Sequence, residues 1–169
     1  MRKLHLLLFI CLFGAVSFAQ TETPFDKKLF KEQKDQFKAA MKHYEEGDAY
    51  YMAYSVDYRK AVAEYLQAYQ FNPNSSELNY KIGMCYFNFD KYKMKKYFET
   101  AYKLKPTVTP DILYYLGISY HIEGEWQKAI DYYNQFASVA TTPEMQKLKT
   151  KAFKKVQECK NGQDLADKK

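Results

Sequence analysis

The chain has 169 residues, 47% hydrophobic and 27% charged, with 26 Lys and Arg against 20 Asp and Glu for a formal net charge of +6. That length suits one domain. The lysines are interleaved with acids and aromatics, as in Lys91-Tyr92-Lys93-Met94-Lys95-Lys96, and read as solvated helix faces rather than as a nucleic-acid surface.

Arg2 and Lys3 precede an apolar run from Leu4 to Val16 and the small-residue segment Ser17-Phe18-Ala19. This is the layout of a secretory signal peptide, expected over residues 1–19. The run is shorter than the roughly 18–20 residues a membrane-spanning helix needs, so it is read as removed rather than retained. Ile10 before Cys11 argues against lipoprotein processing, which wants a small residue there. No later segment is apolar enough to cross a membrane. Residues 20–39 are expected to form a linker and an N-terminal helix, with Phe25 to Ala40 leading into the main body of the chain.

The remainder repeats. Tyr44-x-x-Gly47-x-x-Tyr50, Tyr80-x-x-Gly83-x-x-Tyr86 and Tyr114-x-x-Gly117-x-x-Tyr120 share one pattern, with glycines 36 and 34 residues apart. Downstream, Ala61-x-x-x-Tyr65-x-x-Ala68, Met94-x-x-x-Phe98-x-x-Ala101 and Ala129-x-x-x-Tyr133-x-x-Phe136 match as well. The third copy also carries Pro110, Leu116 and Trp126, and Pro143 comes after it. These residues resemble the tetratricopeptide repeat, a helix–turn–helix unit of about 34 residues. The resemblance implies an all-α fold, a right-handed α-α superhelix of about three repeats (about 40–75, 76–109 and 110–143). Small residues such as Gly83, Gly117, Ala61 and Ala129 let paired helices approach, and Gly124 suits a turn. A pair cannot bury its apolar face alone, so units stack.

After Thr142-Pro143-Glu144 comes an amphipathic segment with Met145, Leu148, Ala152, Phe153 and Val156 at helical spacing, expected as a capping helix over 144–160. Residues 161–169 have nothing to bury and are expected to be a disordered tail. Cys85 and Cys159 would lie one repeat apart, too far for a disulfide.

Catalytic signals are weak. His43 and Glu46 give one H-x-x-E spacing, and His121 has Glu123 and Glu125 nearby, but no two-histidine metal motif, phosphate loop or nucleophile elbow is present. The expectation is therefore no enzyme, no metal and no cofactor. Binding is better supported. Of the 17 tyrosines, Tyr50, Tyr86, Tyr120, Tyr58, Tyr92, Tyr65 and Tyr133 are assigned to packing within the repeats, with Trp126 beside Tyr58 and Tyr92 in their series. Tyr44, Tyr80 and Tyr114 are not. In the proteins this chain resembles, that place and others one and two turns along the first helix face a concave groove. Carried over, the groove comprises Tyr44, Asp48, Tyr51 and Met52, then Tyr80, Met84, Phe87 and Asn88, then Asp111, Tyr114, Ile118, His121 and Ile122. Tyr, Met and Ile suit a protein or peptide partner; the competing reading packs the tyrosines against the next repeat. A carboxylate clamp of Lys and Asn, used by chaperone-binding members, is missing.

The segments DYRKAVAEYLQAYQFNP, LNYKIGMCYF and ECKNG, downstream of a signal peptide, are similar to the N-terminal region of envelope proteins from bacteria with gliding motility or type IX secretion. There the region precedes a β-propeller and an OmpA-like peptidoglycan-binding domain. This chain stops at Lys169, so peptidoglycan anchoring is not carried over. The resemblance implies an exported periplasmic scaffold with a protein or peptide partner in the cell envelope, associated with the outer membrane through partners and binding no nucleic acid. The alternatives are a self-assembly module forming homo-oligomers through exposed tyrosines, or the truncated N-terminal part of a longer OmpA-like protein.

Overall fold

The computed structural model describes residues 21–166 and 168. The expected signal peptide and its cleavage point lie outside the described residues. Among the described residues there are no strands. Seven α-helices succeed one another: α1 Lys34–Met52, α2 Tyr58–Phe71, α3 Ser76–Phe89, α4 Lys95–Leu104, α5 Ile112–Ile122, α6 Trp126–Val139 and α7 Pro143–Ala166. They form three antiparallel pairs and a long last helix, an α-α superhelical solenoid. Packing runs almost wholly between chain neighbours, with α7 reaching α5 as well as α6.

Local chemistry sets the starts. The Asp57 carboxylate accepts the Lys60 N–H at 3.0 Å before α2, and Ser75 Oγ accepts the Leu78 N–H at 3.2 Å before α3; both satisfy donors that a helix start leaves unpaired. Gly124, at φ +73°, makes the turn into α6 in a conformation costly for other residues.

Inside each pair a glycine faces a ring. A Cβ on Gly47, Gly83 or Gly117 would stand 2.5, 2.6 or 2.5 Å from Tyr65, Phe98 or Tyr133 respectively. The glycine admits the ring, and the ring fixes the separation of the two helices. Between pairs, Leu78, Ile82, Phe98, Ala101, Ile112 and Leu116 are fully or almost fully buried in one continuous core. Cys85 and Cys159 are both buried free thiols. Burial pushes Cys85 up to about 12 and Cys159, with a smaller contribution from Glu158, up to about 11, so neither is a ready nucleophile.

Four local expectations need correction. The stretch 25–40 is not one helix: two 3-10 turns, Lys27–Leu29 and Lys31–Gln33, precede α1. The rings compete with helix formation, because Phe25 and Phe30 turn back onto Phe37 and Phe71, with Phe30 and Phe71 4.9 Å apart. Upstream, the Thr23 N–H donates to the Asn74 carbonyl at 2.9 Å, Asn72 Nδ2 donates to the Thr23 carbonyl at 2.7 Å, and the Glu22 carboxylate accepts from Ser76 N and Oγ at 3.0 and 2.9 Å. Residues 22–25 are thus a strap across the junction of the first two pairs. At the other end, α7 does not stop at Lys160 but continues to Ala166. Gly162 lets it pass close to the Trp126 indole, where a Cβ would be 3.1 Å from the ring, so this segment does have something to cover. Phe153 is 54% exposed, and the buried side of α7 is Ala152, Val156 and Cys159. Finally, Tyr92 lies in the 3-10 turn Lys91–Lys93 and is 80% exposed rather than packed.

Candidate protein-binding groove

The first helices of the pairs, α1, α3 and α5, lie in series, with α7 after them. In the expected aromatic ladder Tyr44 and Tyr80 sit in the joints between these helices, and Tyr114 packs against α6 of its own pair. Tyr44 and Tyr114 are buried, at 7% and 6% exposure, and Tyr80 is half-buried. The Tyr44 hydroxyl donates to Glu77 at 2.7 Å, and the Tyr80 hydroxyl donates to Asp111 at 3.0 Å. In both cases the acceptor is a carboxylate on the next first helix or at its start. The Tyr114 ring packs on Tyr133 and Phe136 at 5.9 and 5.5 Å. Burial, reinforced by the neighbouring carboxylates, raises the Tyr44 and Tyr80 hydroxyls well above the ordinary tyrosine value, so they remain donors. The expectation that Tyr44 and Tyr114 offer their rings to a partner is therefore corrected. Their large side chains are needed to fill the space between stacked helices.

Asp48 is likewise committed. Its carboxylate accepts from the Tyr65 hydroxyl at 2.5 Å and from Lys81 Nζ at 2.7 Å, and Lys81 lies 4.4 Å over the Tyr44 ring. Glu77, 3.2 Å from Lys81, completes the cluster. Burial opposes its ionisation, but the Tyr44 hydroxyl and Lys81 outweigh that and hold it below the usual carboxylate range. Tyr51 is half-buried in ring contact with Tyr58 and Tyr65. Burial is the main cause that pushes its hydroxyl up to about 12.

The accessible part of the expected groove lies further along. Met84, Phe87, Ile118 and Ile122 are half-buried, and Asn88 is exposed with its Nδ2 donating to the Met84 carbonyl at 2.8 Å. A recess of about 270 Å³ is lined by Phe87, Ile118, Ile122, His121, Lys91 and Lys155, with Tyr114 and Tyr133 at its base. Lys91 Nζ lies 5.2 Å from the Phe87 ring centre. His121 meets Trp126 edge to face at 5.5 Å; burial, and then Lys155, lower its pKa, against the opposing effect of Glu158. The recess has an apolar wall, a neutral imidazole and two ammonium groups at its rim.

The structure thus brings Phe87, Ile118, His121 and Ile122 together with Met84 and Asn88 beside them, and separates them from the Asp48 cluster. Sequence reasoning missed Tyr115, which stacks on Phe98 and meets Phe87 at 5.1 Å, and Lys155, delivered by α7. Tyr115 stands next to a glycine-anchored Tyr in the repeat and was visible by spacing; Lys155 was one lysine among many until the packing of α7 chose it.

No protein-family model matches the chain, and no curated protein matches it. Solved structures do. A crystal structure of MamA is 22% identical, with a TM-score of 0.53, over 85% of this chain and 87% of that one. A second, also of MamA, is 22% identical with a TM-score of 0.52, over 84% and 81%. The chain has a tetratricopeptide-like helical-repeat fold. At this identity the likeness speaks for the fold alone.

Proposed function

We propose that the chain is an exported, non-enzymatic scaffold that receives a segment of another envelope protein along the concave side of α3, α5 and α7. The carrying observation is the half-buried apolar wall of Met84, Phe87, Ile118 and Ile122, which the pairs leave uncovered around a rimmed recess. Burying apolar side chains there, with Lys91 and Lys155 near the partner's polar groups, requires no covalent step. The N-terminal segment supports export, and the resemblance to envelope proteins of secretion and motility systems supports a periplasmic setting at the outer membrane. Tyr80 and Tyr114 act as mortar in this reading, and the groove wall is left to Phe87, Ile118 and Ile122.

A photo-crosslinking residue at Asn88 or Ile122 should capture the partner in envelope preparations, whereas one at Gln67 or Gln135, on the exposed faces of α2 and α6, should not. Equal capture from both sets would overturn the groove assignment. Capture of this chain alone would favour the second reading, self-assembly, which the exposed Tyr54 and Tyr92 support.

A further inference from the structure

His43 and Glu46 lie about one turn apart on α1, and α2 brings Glu64 against them. One donor atom of each, a ring nitrogen and two carboxylate oxygens, all lie within 4.8 Å of one another. His43 Nδ1 and Glu64 Oε2 are 2.7 Å apart, and all three residues are half-buried.

Repeat equivalence shows how unusual the trio is. The same places hold Asn79, Ile82 and Tyr97 in the second pair and Leu113, Leu116 and Tyr132 in the third. Ile82 and Leu116 are fully buried. The side chains of His43, Glu46 and Glu64 are 40%, 45% and 28% exposed, so this face meets water, and water explains polar side chains there. It does not explain convergence. Solvated charges favour dispersal, yet two carboxylates are gathered round one imidazole, and the nearby ammonium of Lys42 is 3.7 Å from Glu46 with most of its side chain exposed.

We infer that His43, Glu46 and Glu64 form a binding site for a divalent transition metal of the zinc class. One imidazole nitrogen and two carboxylates are a donor set this class accepts, with bonds of about 2.0–2.2 Å and a fourth position open to water. Calcium and magnesium want more oxygen donors than the trio supplies. The metal replaces the proton between His43 Nδ1 and Glu64 Oε2, and the two atoms move from hydrogen-bond distance to the roughly 3.4 Å separation of tetrahedral ligands at such bond lengths. Metal bound here ties α1 to α2 within the first pair.

The test uses the untagged chain and Co²⁺ as a spectroscopic probe, with Zn²⁺ as competitor. The wild type should bind one Co²⁺ with visible absorption of a low-coordinate site, release it to Zn²⁺, and melt at a higher temperature with Zn²⁺ present. His43→Ala and Glu64→Gln should each weaken binding at least about tenfold, a loss typical of damage to a metal site. Their metal-free melting temperatures should stay near that of the wild type, because the side chains are partly solvated; should either variant misfold, Glu46→Gln takes its place. Absence of Co²⁺ absorption in the folded wild type, or equal affinity in wild type and variants, would overturn the site and leave a solvated polar face.

Discussion

Gly117 has no space for a methyl group, since a Cβ would stand 2.5 Å from the Tyr133 ring, itself fully buried. Gly117→Ala must therefore move a ring that Tyr114 and His121 hold in place. Overpacking of this kind costs about 1–3 kcal/mol, and a fall in the urea midpoint with an unchanged slope would report it; an unchanged midpoint would mean that the pair can open at no cost. The glycine was legible from its spacing, and so was the aromatic it meets. What spacing left open was the direction of the tyrosines three residues before each glycine. They could face a groove or a joint, and the acceptors that decided it, Glu77 for Tyr44 and Asp111 for Tyr80, are more than 30 residues away. One-dimensional periodicity places a residue on a helix face but does not say how near the next helix stands.

At the scale of the element, α7 is the most informative. Its apolar side was readable, but its length was not, because most of the last residues are polar and the approach of Gly162 to Trp126 appears only in the fold. Truncation after Lys160 should uncover the Trp126 indole. As Trp126 is the only tryptophan, its emission should shift to the red and the melting temperature should fall. Unchanged emission would show that the extra turn covers nothing. The start of the fold misled for the mirror-image reason: Phe25 and Phe30 fit a helical pattern, but rings from α1 and α2 capture them individually, so tertiary contact overrides local periodicity.

For the whole molecule, repetition made the fold legible, because every unit restates the same packing problem. The accessible site was less so. Met84, Phe87 and Ile118 came from the repeat offsets, but the recess also needs Lys155 from α7, a helix outside the repeats. The His43–Glu46–Glu64 cluster needed α2 folded against α1 before its third member could be seen.

The strap of residues 22–25 has a kinetic consequence. Most helices here pack on helices adjacent in the chain, which favours rapid folding because short loops close at little entropic cost. The strap is different: its bonds join residues 49 and 54 positions apart, and its docking surface exists only once α2 and α3 are in place. It should therefore close after the rate-limiting step and act chiefly on the return path. Glu22→Gln combined with Phe25→Ala should speed unfolding in stopped-flow measurements while leaving the folding arm of the chevron unmoved. A slower folding arm would instead make the strap part of the nucleus. With late closure, a short segment outside the repeats sets how long the first two units stay together, while contributing nothing to how quickly they form.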